Sequence, residues 1–278
     1  MTIRLLRFAF RIWPFMHGRG WILRLARLLL GHDPVRFDIG GGVLIDGSLD
    51  DWIIVWTFMR RHEADASFQR SFDFLPEGGV AIDVGAHIGI WSLLAARRAP
   101  RARIHAFEPV PGQAARLRAH IALNRADGIV VNECAAGAEN GSAAFYAVYE
   151  QNSGASSLVP RAEPHVELRV DVVTLDSYID RADLLKVDVE GAEHLVFRGA
   201  SALLASENAP AIFFEIDETL CASFGVTTRR VKQLLIDHGY AIYRWQRSRF
   251  VPVAIDEPHP HEDLFALKPR HMGQIRHS

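Results

Sequence analysis

The chain has 278 residues, 49% hydrophobic and 23% charged, which excludes a disordered polymer and suits one large domain with an appendage. Its net charge of −2 conceals a basic tip, because Arg4, Arg7, Arg11, Arg19, Arg24 and Arg27 precede the first acid, Asp33, and 25 basic face 33 acidic residues beyond them. That acidic remainder excludes a phosphate-tracking surface, hence a nucleic-acid partner. Two distant cysteines, Cys134 and Cys221, exclude a disulfide scaffold or CxxC zinc site and point to a reducing, cytoplasmic setting.

Residues 1–30 read as two short amphipathic helices broken near Pro14 and Gly18–Gly20. No apolar run reaches the roughly 20 residues needed to cross a bilayer. Arg11 interrupts any signal-peptide core, and a transit peptide would carry more serines. Two readings of this arm stay open: peripheral contact with the inner, anionic face of a membrane, or packing on the domain or on a second subunit as a homo-oligomer contact. The expected division is 1–60, arm and accessory segment, and 61–278, the main domain.

Glycines 40, 41, 42 and 47 among β-favouring residues predict a hairpin over Val35–Leu49. Asp51–Arg61 predicts a helix with Trp52, Ile53, Trp56 and Met59 as its apolar face. Val80–Val84 is a continuous apolar run into Asp83, as in a parallel strand covered on both faces. Strands at Ala102–Phe107, Ile129–Cys134, Leu184–Val189 and Ala211–Ile216 then alternate with helices at Ile90–Arg98, Pro111–Asn124, from Gly191 to Ala205, and at Thr227–His238. Ser142–Tyr149 and Glu167–Val173 read as antiparallel additions, and Ala241–Trp245 with Leu264–Lys268 close the sheet. The alternation predicts an α/β fold, a mostly parallel sheet with helices on both faces.

The turn after Val80–Val84 has the spacing Asp83-x-Gly85-x-x-x-Gly89. A nicotinamide-binding turn wants G-x-G-x-x-G around a pyrophosphate, and here a carboxylate would repel phosphate. An acid suits a ligand with an ammonium group and a sulfonium, S-adenosylmethionine. Glu108, at the next strand end, can accept both ribose hydroxyls. Helix capping explains either acid singly, not both at matching strand ends.

The run Asp83–Gly89, Phe107-Glu108-Pro109, the loop Asn152–Leu158, Val173–Asp176, Leu185–Glu193 and Arg198-Gly199-Ala200 together resemble the FkbM-type methyltransferases over roughly residues 60 to 270. The resemblance implies a Rossmann-like, seven-stranded adenosylmethionine-dependent fold and O-methylation of a hydroxyl on a sugar, glycan or secondary metabolite. It implies a cofactor site of Asp83, Gly85, Ala86, His87, Gly89, Ser92, Glu108, Pro109 and Ala135. The resemblance places Glu63 where the family has a Tyr-Glu pair, which implies a contact with the cofactor's ammonium or the substrate; an exposed helix-end acid is the other reading. His87 departs from the family's usual Asn, although imidazole can still donate to a carboxylate.

Methyl transfer to an alcohol requires alignment and removal of a proton. Asp188 and Glu190, after their strand, and His194 on the following helix are the candidate catalytic groups. Lys186, Asp188 and Glu190 fall on one side of an extended chain, either as a catalytic edge or as a buried ion network. A divalent metal on Asp188, Glu190 and a third ligand is compatible with the spacing but not demanded by it. Asn152, Ser153, Ser156 and Asp217 are candidate contacts for a small-molecule or glycan acceptor. No Asn/Asp-Pro-Pro-aromatic tetrad follows Asp188, and neither cysteine follows a proline, which argues against amine-directed and covalent pyrimidine chemistry. The rival readings are a nicotinamide-dependent dehydrogenase and a non-enzymatic binding module on the same fold.

Overall fold

The computed structural model describes residues 34–59, 66–149, 153–160, 162 and 164–273, together with Leu28. The rest of the basic arm, Glu63 and Asn152 lie outside the described residues.

Strands β1 (Val35–Gly40) and β2 (Val43–Gly47) form the expected hairpin, and α1 (Trp52–Met59) follows. Helix α2 (Ala66–Ser71) and a 3-10 turn lead into β3 (Val80–Val84), α3 (Ile90–Arg98), β4 (Arg103–Phe107), α4 (Pro111–Asn124) and β5 (Ile129–Asn132). Then come β6 (Ala135–Ala136), β7 (Gly141–Ala147), β8 (Val166–Val173) and α5 (Leu175–Tyr178). After β9 (Leu184–Val187), α6 (Glu193–Arg198), α7 (Ser201–Ala205) and β10 (Ala211–Ile216), the chain continues through α8 (Glu218–Ser223) and α9 (Thr228–Asp237). Strands β11 (Ala241–Gln246), β12 (Arg249–Pro252) and β13 (Glu262–Leu267) precede α10 (Pro269–Met272).

The main sheet runs β12-β11-β13-β10-β9-β3-β4-β5, with β10, β9, β3, β4 and β5 mutually parallel and β13 antiparallel to β10 and β11. It is the seven-stranded sheet expected, extended by β12, which turns back on β11. The other additions form a separate sheet, β6-β8-β7, above the parallel strand ends.

Side chains alternate across the sheet, and this splits the interior in two. Ala81, Phe213, Phe265 and Leu267 meet one core with Trp91 and Leu94 of α3, whereas Ile82, Val84, Phe214 and Leu264 meet the other with Val196, Phe197, Val231 and Leu235 of α6 and α9. Each central strand is therefore apolar at successive positions, which is why the runs into Asp83 and through 211–216 were legible.

Buried apolar residues between Val35 and Phe58 belong to the first of these cores. His120 and Asn124 of α4 fasten β2: Asn124 accepts from Leu44 N at 2.7 Å and donates to Leu44 O at 2.7 Å. Helix α1 buries Ile54, Val55 and Phe58 and leaves Trp52 and Trp56 49% and 37% exposed, correcting the expected apolar face. Eight residues do not make a stable helix in water. Burying those three side chains, at about 1.5–3 kcal/mol each, holds it.

The single helix expected to run to Ala205 is two, broken at Gly199. A Cβ there would lie 1.9 Å from Gly137 O, so α6 ends where two backbones touch.

Replacing Asn124 by Ala leaves both Leu44 backbone groups without their partner, which costs about 1–3 kcal/mol. The expected outcome is a lower urea midpoint with an unchanged slope; an unaltered midpoint would contradict this anchoring of the hairpin.

Candidate functional site

The parallel strands deliver the ends of β3, β4, β9 and β10 to one edge, where a cavity of about 280 Å³ opens. Its floor is the glycine turn, with Gly85, Ala86 and His87 on the wall. Glu108 and Pro109 after β4, Ala135 of β6, and Ser153 and Ser156 from the polar loop form the sides. Asp188 and Glu190 stand at the end of β9. Ile53 and Trp56 of α1, Phe68 of α2 and Glu215 of β10 complete it, contributions that sequence spacing did not reveal.

The glycines have a packing role. Gly85 has φ +76, and a Cβ would fall 1.8 Å from Asp188 O; Gly89 has φ +90, and a Cβ would meet Leu117 Cδ1 at 2.1 Å. These glycines let the turn press against the exit of β9 and against α4. Gly85 also reaches the cavity; Gly89 does not line it.

Asp83 does not face a ligand. It is fully buried, accepts from Ser92 Oγ at 2.6 Å, and has Lys186 Nζ 3.1 Å from its Oδ1. Ser92 is likewise buried and spent on Asp83. Neither side chain lines the cavity, so both leave the expected set of cofactor contacts. The same ammonium lies 3.4 Å from Asp188 Oδ2 and donates to Gly85 O at 2.8 Å. Burial alone would lower the Lys186 pKa, but Asp83 and Asp188 overcome it and hold the amine above its ordinary value. Among the described residues Lys186 is the one cationic Lys or Arg side chain lining the cavity, and it is neutralised. Among the described residues no unpaired Lys or Arg is therefore offered to a pyrophosphate.

Glu108 is a built acceptor. Its Oε2 accepts from His87 N and its Oε1 from Val110 N, each at 2.8 Å. Each carboxylate oxygen keeps a further lone pair, so the wall offers two acceptors for a vicinal diol such as a ribose. Burial pushes the carboxyl up to about 7, against the opposing pull of the two N–H groups.

Beyond Asp188 the chain turns through Glu190, at φ 59, and Gly191, where a Cβ would lie 2.5 Å from Leu220 O. Such a φ is uncommon for a non-glycine residue. Buried Glu193 holds the turn by accepting from Gly191 N at 3.0 Å and Val189 N at 3.3 Å. The turn brings Asp188 and Glu190 together with Glu215, their oxygens within 4.8 Å of one another. Burial first, then repulsion from Asp188 and Glu190, holds the Glu215 carboxyl well above the usual range. Asp188, with 42% of its side chain exposed, is the accessible member of the Lys186 network. Three such carboxylates could share a proton or enclose a divalent cation.

Two more expected residues leave the site. His194 is turned from the cavity, with its ring edge-on to Phe224 at 5.9 Å, and burial lowers its pKa. Asp217 caps α8, accepting from Thr219 N at 2.7 Å and Leu220 N at 3.0 Å, and does not line the cavity. Their helix-start positions look alike in sequence to residues facing a ligand, and only the tertiary packing separates the two.

A family model described as the methyltransferase FkbM domain matches residues 83–242. Methyltransferase 1 of Beauveria bassiana is 31% identical over 192 residues, covering 60% of this chain and 74% of that protein. Methyltransferase sdnD of Sordaria araneosa is 30% identical over 214 residues, covering 64% and 79%. The 31-O-demethyl-FK506 methyltransferase FkbM of Streptomyces tacrolimicus is 43% identical over 67 residues, 24% of this chain and 25% of that protein.

Removing Asp83 leaves Lys186 with Asp188 and Gly85 O and strands the buried Ser92 hydroxyl. Asp83→Ala should lower stability by about 1–3 kcal/mol, read by urea unfolding, and the double replacement Asp83→Leu with Lys186→Met should recover most of the loss. A single variant as stable as the parent would contradict the pairing.

Proposed function

Starting from a chain that belongs to the FkbM methyltransferase domain family, we propose that it transfers the methyl group of S-adenosylmethionine to an acceptor hydroxyl on a sugar, glycan or secondary metabolite. The observation that carries the donor assignment is the cavity wall itself: Glu108 presents two acceptors, three further carboxylates stand at the far side, and Lys186 is neutralised. A cationic, diol-bearing, phosphate-free ligand suits that wall, whereas a dinucleotide does not.

The donor supplies an electrophilic methyl group on a sulfonium. The protein binds the ribose diol through Glu108 and keeps that end of the cavity apolar through Ala135 and Phe107. At the other end, Asp188 takes the acceptor's O–H proton as the new O–CH₃ bond forms and the sulfur–methyl bond breaks, so sulfur leaves with the bonding pair. Lys186 fixes the orientation of Asp188, and the raised Glu215 carboxyl favours its protonated form, which lets Asp188 or Glu190 act as the base. Direction toward oxygen is supported by the name of the Streptomyces tacrolimicus relative, a 31-O-demethyl substrate methyltransferase.

The cluster Asp188, Glu190 and Glu215 supports a second reading, a divalent cation that acidifies the hydroxyl. Activity that survives a chelator favours the carboxylate base; loss restored by Mg²⁺ favours the cation. The acceptor itself is identified by incubating the protein with methyl-labelled donor and hydroxylated glycans or metabolites, then locating the label. Label on nitrogen would sink the oxygen assignment.

Glu108 gives a pH test with a defined sign. Its pKa is raised to about 7, so below pH 7 the free protein is protonated there and must lose that proton to accept two hydroxyls. Donor affinity measured by calorimetry should rise with pH toward 7 and then level off. Glu108→Gln should bind about tenfold more weakly, as for loss of a charged hydrogen bond, with the pH dependence gone. A variant with parental affinity would remove Glu108 from the ribose contact.

A further inference from the structure

Asp51, at the start of α1, is joined to the cavity by a chain of hydrogen bonds. Its carboxylate is 9% exposed, with Arg116 Nη1 3.1 Å from Oδ2. Fully buried Ser153 places Oγ 3.0 Å and 2.9 Å from the two Asp51 oxygens, and His87 Nε2 lies 2.9 Å from the same Oγ.

One proton arrangement satisfies all three groups. The carboxylate, ion-paired to Arg116, has no proton to give, so the Ser153 hydroxyl proton points to Asp51. The Ser153 oxygen must then accept, and its remaining partner, His87 Nε2, must carry hydrogen. The opposite arrangement would set oxygen lone pairs against each other at 2.9–3.0 Å. A neutral imidazole protonated at Nε2 has its lone pair on Nδ1. Burial outweighs the pull of Asp51 and Asp188, and with Arg116 and Lys186 opposing protonation too, it pushes the ring's pKa down to about 4. The ring lines the cavity while its backbone N–H donates to Glu108, and among the described residues none bonds to Nδ1.

We propose that Asp51 and Ser153 are positioning residues that lock His87 as the Nε2–H tautomer, so that the Nδ1 lone pair faces the positively charged methyl donor and favours it over the neutral-sulfur product. This rests on the adenosylmethionine reading. It gives His87, where the family usually has Asn, a role beyond a generic ligand contact: the pocket holds the charged donor and lets the uncharged thioether go.

The test is calorimetric titration of S-adenosylmethionine and S-adenosylhomocysteine into the parent, Ser153→Ala and Ser153→Thr, with nitrogen NMR of the His87 ring in the free parent. Expected are an Nε2-protonated ring, a product-to-donor Kd ratio about tenfold lower in Ser153→Ala, the size of one hydrogen bond to a charged group, and recovery in Ser153→Thr, which keeps the hydroxyl. His87→Leu, which removes the Nδ1 lone pair and offers no other acceptor, should lower the ratio equally and guards against a misfolded Ser153→Ala. An Nδ1-protonated ring, or variants that weaken donor and product alike, would overturn the proposal and leave the donor reading standing. A parent that binds neither ligand would overturn both, whatever the tautomer.

Discussion

One ammonium, that of Lys186, ties the site together. It lies between buried Asp83 and half-exposed Asp188 and donates to Gly85 O, so a single group links the end of β3, its glycine turn and the end of β9. Desolvating Lys186 and Asp83 is costly, and an isolated charge there would not be tolerated. The arrangement survives because each charge meets another, and the net excess on the cavity side is negative. That negative bias, together with Glu108, is what the proposed cationic, diol-bearing donor would meet.

The sheet explains why such a cluster can be built. Parallel strands present their carboxyl ends at one edge, so residues distant in sequence converge without long loops. Gly85 and Gly191 then permit two turns to touch neighbouring backbones at distances no side chain would allow. The Asp188–Gly191 turn is held by Glu193, which spends a buried carboxylate on two backbone N–H groups. Precise placement of Asp188 is thus supported from below by Lys186 and from the following helix by Glu193.

Much of this was legible in the sequence, for identifiable reasons. Apolar runs buried on both faces predicted β3, β9 and β10, and the helix expected over Pro111–Asn124 is α4 as observed. Gly85, Ala86, His87, Glu108, Pro109, Ala135, Ser153, Ser156, Asp188 and Glu190 do meet at the cavity. Misread were the residues whose role depends on which neighbour arrives first. Asp83 and Ser92 looked like ligand contacts, but Lys186 and the Asp83–Ser92 bond consume them. Asp217 and His194 stand at helix starts, yet one is taken by the first N–H groups of α8 and the other by Phe224. Asp51 and Glu215 had no motif around them, since they join the site from separate elements, across 102 residues of chain in the bond from Ser153 to Asp51.

The account depends above all on the ligand that this cavity takes. The direct measurement is calorimetry of the full chain with S-adenosylmethionine and, separately, with NAD. The cavity described here predicts saturable one-to-one binding of S-adenosylmethionine and none of the dinucleotide; tight NAD binding without adenosylmethionine binding would contradict it.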